Sequence, residues 1–180
     1  LASNYSLSSG TFDIISRQVN IAGSRIYDGT TVANGSDLVV TTGVGSELLT
    51  VSGTGSISSA NVGNNKSVTA GSLALSGGSG NASNYTLGTI TLSVTQRPVN
   101  ADLEKIYDGT TNAAASNLKT NGIGNTVLGH SLTLNGTGAM VSKDVGTDKS
   151  VSIGTLSLSG SQASNYTLTG GSHTIDVNPR

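Results

Sequence analysis

Two pairs of side chains carry the chemistry that a first reading of this sequence offers. Tyr27-Asp28 and Tyr107-Asp108 each place an aromatic face beside a carboxylate, the combination with which a protein grips a sugar. Both sit in one phrase, Ile-Tyr-Asp-Gly-Thr-Thr, at 26–31 and again at 106–111, identical and 80 residues apart. The same residues also have a purely structural reading. Tyr packs inward, Asp bonds the backbone amides of a turn, and Gly takes a conformation closed to other residues. A phrase that repeats in every unit favours that second reading, because scaffold recurs more readily than a site does.

Other reactive groups lack a pattern. His130 and His173 do not recur and have no serine or aspartate at triad spacing beyond the background of this composition. No glycine-rich phosphate loop stands between a strand and a helix, since Gly77-Gly78-Ser79-Gly80 runs into Asn-Ala-Ser-Asn-Tyr. Asp144 and Asp148 have the spacing of a cation loop, but flanking lysines oppose a metal and the first unit carries Asn61 and Asn65 instead. Lys66 and Lys149 recur, as a Lys-Asn isopeptide link would need, yet Glu47 and Glu104 do not, so no consistent acid completes that triad. The expectation is a chain without enzymatic activity, bound metal or cofactor. Asn-x-Ser/Thr triplets stand at Asn4, Asn34, Asn65, Asn81, Asn84, Asn135 and Asn165. Those at Asn34, Asn65 and Asn135 are the better glycosylation candidates, because Asn4, Asn84 and Asn165 adjoin a tyrosine that burial would hide.

The elements that must position these groups follow from the repetition. A second phrase, Ala-Ser-Asn-Tyr, begins at Ala2, Ala82 and Ala163, and all five tyrosines fall in the two phrases. In a chain with one Phe and no Trp, they are the large anchors of small cores. The period divides the chain into 1–16, matching the C-terminal strand of a preceding repeat, and two modules, 17–96 and 97–180. Modules of that size fold with modest stability.

Within each module the apolar residues alternate with period two. Ile90, Leu92 and Val94 interleave with Thr and Ser, and Phe12 and Ile14 hold the equivalent places in the partial unit. Leu73 and Leu75 match Leu156 and Leu158, and Leu49 and Val51 match Leu132 and Leu134, each at an offset of 83. Residues that tolerate positive φ, the mark of tight turns or bulges, stand between the strands at Asp28-Gly29, Asn34-Gly35, Asp108-Gly109, Asn121-Gly122 and Asn135-Gly136. The growth of the offset from 80 to 83 marks an insertion between about 120 and 130, where a turn absorbs length at little cost.

This pattern predicts an all-β chain of tandem small antiparallel modules, an immunoglobulin-like sandwich with a β-grasp-like module as the alternative. A solenoid is disfavoured, because no period near 20–30 residues is present. Thr95-Gln96-Arg97-Pro98-Val99 joins the modules without a linker, and Pro98 stiffens the joint, so an elongated end-to-end array is expected. With 11% charged residues and a net charge of −1, the chain carries no electrostatic footprint for nucleic acid, and it has no apolar run for membrane insertion. The absence of cysteine removes disulfides and thiolate chemistry.

Taken in order, Ile106-Tyr107-Asp108-Gly109-Thr110-Thr111, Asp144 to Val151, Leu156 to Gly160 and Asn165-Tyr166-Thr167-Leu168 resemble the YDG repeats of very large bacterial surface adhesins. Those exoproteins are similar to filamentous haemagglutinin and often leave the cell by two-partner secretion. The resemblance covers two full units and the tail of a third. The first unit departs from it at Asn61 and Asn65, which stand where the second has acids. It implies a secreted module at the bacterial cell surface, its export signal outside this fragment, with neighbouring repeats of the same chain as partners. Two roles follow from it: a non-catalytic stalk that projects an adhesive part from the cell, or repeats that themselves bind host-surface or biofilm glycans in cell adhesion. An exposed Tyr with its Asp in each unit favours binding, and a buried Tyr favours the spacer.

Overall fold

A computed structural model describes residues 9–127 and 129–180. The chain is all-β, with short 3-10 turns and no α-helix among the described residues. The first unit contains β1 (Arg17–Ile26), β2 (Val32–Asn34), β3 (Leu38–Val40), β4 (Leu49–Ser52), β5 (Thr54–Ile57), β6 (Gly63–Thr69), β7 (Ala74–Gly77) and β8 (Tyr85–Thr95). Its main sheet has the order β2-β5-β6-β8-β1-β3, and β4 and β7 form a separate pair.

The modules are not antiparallel throughout. The first long strand and the last, β1 and β8, lie side by side and parallel in the middle of the sheet, from Arg17 opposite Tyr85 to Ile26 opposite Thr95. A parallel pair requires a long crossover, and here the whole run from β2 to β7 supplies it. An immunoglobulin-like sandwich is built from antiparallel sheets, and the parallel centre departs from it. Period-two patterning could not distinguish these, since it reports which face is buried and not strand direction.

The second unit repeats the plan with β9 (Arg97–Pro98), β10 (Asn100–Ile106), β11 (Asn112–Ala114), β12 (Leu118–Gly124), β13 (Thr133–Asn135), β14 (Thr137–Met140), β15 (Gly146–Ser152), β16 (Ser157–Ser159), β17 (Tyr166–Thr167) and β18 (His173–Asn178). Its sheet order is β11-β14-β15-β18-β10-β12. The parallel centre is interrupted: β9 pairs with β17 and β10 with β18. Two extra residues before β18, in a loop where Gly170 has a φ of +83°, cause the break. His173 then takes the core position of Ile90. It is 7% exposed and satisfied by backbone: Nδ1 accepts from Ala101 N–H at 3.2 Å, and Nε2 donates to the Leu168 carbonyl at 2.9 Å.

The core is what the alternation predicts. Ile90, Leu92 and Val94 are 5%, 0% and 1% exposed, and Leu103, Ile175 and Val177 fill the matching layer. Gly53 and Gly136 mark the close approaches. At each, φ is near +85° and a Cβ would lie 2.2 Å from a carbonyl oxygen, that of Ser72 or Thr155, so no other residue fits.

Two expectations are corrected. Residues 9–16 form no strand, and Phe12 and Ile14 are both 88% exposed. The equivalent strand, β8, is held by β1 and β6, and residues 9–16 have no such neighbours among the described residues. Residues 1–8 of that segment, with Asn4, lie outside the described residues. Asn34-Gly35 is not a positive-φ turn: Asn34 has a φ of −82°, and Gly35 opens a 3-10 turn where a Cβ would fall 2.6 Å from the Val51 carbonyl oxygen. Asn121-Gly122, in contrast, is a positive-φ bulge as its residue types suggest: it lies inside β12, where Asn121, at a φ of +59°, marks a break in the pairing with β10.

Candidate functional site

The Tyr-Asp-Gly turn is built alike in both units. It leaves the end of β1 or β10 with the tyrosine N–H donating to the last strand, Tyr27 to the Thr95 carbonyl (2.9 Å) and Tyr107 to that of Asn178 (2.8 Å). The aspartate folds the turn over itself. Asp28 Oδ1 accepts from the N–H (2.9 Å) and hydroxyl (3.0 Å) of Thr30, and Asp108 Oδ1 from those of Thr110, both at 2.9 Å. Gly29 and Gly109, with φ of +79° and +77°, close it.

A cation two residues before each tyrosine secures the turn from beneath, and sequence reading missed it. Lys105, 7% exposed, donates from Nζ to Asp108 Oδ1 (2.9 Å), to the Thr110 carbonyl (3.0 Å) and to the Asn112 carbonyl (2.9 Å). Arg25 does the same for Asp28 and for Thr30. The signal was present as Arg25 and Lys105 at an offset of 80, hidden by the change of residue type. Lys105 and Thr110 together draw the Asp108 carboxyl down to about 2. Both carboxylates are thus bound within their own turn.

The two tyrosines differ in what covers them. Tyr107 is half-buried, whereas Tyr27 is 2% exposed. The difference is the second unit, which receives the first unit's turn. The Tyr27 ring meets Tyr166 edge-to-face, with centroids 5.5 Å apart at 81°, and lies 6.0 Å from the His130 ring. Burial, then the neighbouring Tyr166 and Asp28, pushes the Tyr27 hydroxyl above its ordinary range. Its hydroxyl reaches Gln162 Oε1 at 3.4 Å. Gly29 faces Val127 so closely that a Cβ would fall 2.9 Å from it.

Around this contact the polar groups are shared across the joint. Asn165, 2% exposed, accepts from Val62 N–H at 2.9 Å and donates to Asn61 Oδ1 at 3.1 Å and Gln162 Oε1 at 2.9 Å. Gln96 Nε2 donates to the carbonyls of Ser164 (3.1 Å) and Tyr166 (3.0 Å). Arg97 reaches Asn125 through Nε and Nη2 and the Tyr27 carbonyl through Nη1. Tyr166 keeps its hydroxyl for its own unit, accepting from Val127 N–H (3.1 Å) and pairing with His130 Nδ1 (2.7 Å). The two phrases that carry every tyrosine therefore meet: the Tyr-Asp-Gly turn of one module docks on the Asn-Tyr of the next.

The model of the YDG domain matches residues 15–92 and again 90–174. The chain belongs to the YDG domain family. No curated protein and no solved structure matches it.

The remaining candidates sit apart from the junction of the two YDG domains. Asn34 and Asn135 are exposed at the ends of β2 and β13 and Asn65 within β6, and Asn135 is tied to Ser159 Oγ at 2.9 Å. Asn165 is closed off within the joint. Lys66 and Lys149 bond backbone carbonyls, those of Ser59 and Asn61 and that of Asp144, and no asparagine side chain. Asp144 accepts from Ser142 Oγ at 2.5 Å, and no cluster of three metal-ligating side chains occurs among the described residues. Asp102 and Asp176 converge on Lys119 Nζ at 3.0 and 2.7 Å, a brace across the sheet of the second domain that the first lacks. His173 is a core residue, and His130 a wall of the joint.

Proposed function

We propose that this pair of YDG domains is a non-catalytic spacer segment of a secreted bacterial surface adhesin, with the modules locked in series to project an adhesive part from the cell. The observation that carries the reading is the burial of Tyr27 and Asn165 between the modules. A residue pair repeated in every unit is used to couple neighbours, and coupled neighbours make a stiff array, whereas modules that only bound ligand would have no need to share their recurrent aromatic. The near-neutral surface rich in Ser, Thr and Gly fits a stalk that resists nonspecific adhesion.

A second reading, in which the repeats themselves bind host or biofilm glycans, draws on Tyr107, which stays half-exposed beside Asp108. A panel of glycans and matrix polysaccharides tests the two together with Tyr107→Ala. The spacer reading expects no saturable binding by the two-domain chain. Saturable binding that Tyr107→Ala abolishes, in a variant that still folds, overturns it.

A further inference from the structure

The joint between the two YDG domains is made from positions that both domains possess, and each domain uses only one half of them within the pair. The first domain presents its turn and is covered; the second presents the receiving surface. The receiving surface of the second domain consists of Arg97, Val127, His130, Asn165 and Tyr166. Its equivalents in the first, placed by the shared pattern of bonds, are Arg17, Val44, Glu47, Asn84 and Tyr85.

The correspondence is structural as well as sequential. The N–H of Glu47 bonds the Val44 carbonyl, as that of His130 bonds Val127, each at 3.0 Å. The Tyr85 hydroxyl donates to the Glu47 carboxylate, as Tyr166 pairs with His130, and this bond raises the Tyr85 hydroxyl above its ordinary range. All five equivalents line a single open cavity of about 380 Å³, with Ile14 and Ile15 also against it. Val44, whose counterpart touches Gly29, is 37% exposed there.

The other half is displayed by the second domain. Tyr107 is half-buried, Gly109 has nothing among the described residues within 4 Å of where a Cβ would stand, and Val145, the counterpart of Val62, is 52% exposed. Asp144 stands where Asn61 accepts from Asn165, and a carboxylate there accepts from an Asn84 amide at least as well.

We propose that the surface around Tyr85 is a receptor for the Tyr-Asp-Gly turn of another YDG repeat, and that a second copy of this chain fills it with its Tyr107 turn. The contact is heterologous, turn to receptor, so it does not close on a pair of chains and adds copies in line. It depends only on the two halves of the observed joint, and holds whatever the array carries. A receptor Glu47 in place of His130 gives this contact a different polar wall from the internal one, which separates the two interfaces chemically.

The test uses the intact chain, labelled with nitrogen-15 and titrated with unlabelled chain up to about 2 mM, the effective concentration that a short linker supplies to neighbouring modules. Amide shifts are expected at two places, around residues 44, 47 and 85 and around 107–110 and 144–145, with sedimentation showing a growing series of sizes. Val44→Arg removes the receptor, and Tyr107→Ala or Val145→Arg removes the turn; each alone abolishes association. A mixture of Val44→Arg with Val145→Arg restores it, capped at one-to-one, because one free turn meets one free receptor. No shift up to that concentration, shifts elsewhere, or a mixture that fails to associate while both variants melt like the wild type overturns the proposal.

Discussion

Replacing Tyr27 by alanine should cost far more than the same change at Tyr107, although the two occupy identical phrases. The Tyr27 ring is 2% exposed and stacks edge-to-face on Tyr166 across the joint. Truncating a buried aromatic costs about 3–5 kcal/mol, of which the aromatic pairing contributes about 0.5–1.5 kcal/mol. Tyr107 is half-buried and has no aromatic neighbour among the described residues, so its loss costs about 1–2 kcal/mol on the area scale. The difference, about 1–4 kcal/mol, is the contribution of the junction. For a chain of this length, Tyr27→Ala lowers the melting midpoint by about 6–20 °C. Its urea or calorimetric transition should also separate into two steps, since the coupling between domains is what the ring supplies. Tyr27→Phe serves as the control. It removes only a hydroxyl whose bond to Gln162 is long, at 3.4 Å, and should cost about 0.5 kcal/mol, the low end for a hydrogen bond. Equal losses for Tyr27→Ala and Tyr107→Ala, with a single transition in both, would refute the reasoning: the tyrosine would then serve its own domain and not the joint.

Asn165→Ala leaves Val62 N–H without its partner and should cost about 1–3 kcal/mol, read as a lower urea midpoint, while Asn84→Ala at the exposed equivalent changes the midpoint little. Gly53→Ala drives a methyl to within 2.2 Å of the Ser72 carbonyl at a φ of +86°; a loss of about 2 kcal/mol or more is expected, and a midpoint within error of the wild type would contradict the close approach. Asp108 has its carboxyl drawn down to about 2, so its contribution is complete above the ordinary carboxylate range near 4 and is lost as pH falls through about 2. Melts of wild type and Asp108→Asn between about pH 5 and pH 2 should therefore converge as the pH falls, and a gap that stays constant would exclude this linkage.

Much of the architecture was legible because it is periodic. Strict alternation at Ile90, Leu92 and Val94 marks a half-buried strand, and the recurrence of Leu73 and Leu156, both buried, located a second layer. Strand direction was not legible. Alternation is the same whether a neighbour runs up or down, so the parallel centre of β1 and β8 emerged only from the pairing. The cation beneath the Tyr-Asp-Gly turn was written in the sequence, but as Arg25 once and Lys105 once. Phe12 and Ile14 show the limit from the other side: they carry the strand pattern and form no strand, because a pattern buries nothing without partners to bury it against.

By itself the sequence determined the repeat, its period, the all-β character and the addresses of the large side chains, since these depend on residue type and spacing alone. Tertiary structure decided what those side chains are for. Tyr27 and Tyr107 have identical neighbours in the chain, and one is covered while the other is half-exposed. Burial is a property of what stands opposite, and what stands opposite Tyr27 is Tyr166, distant in sequence and brought near only by the docking of one domain on the next.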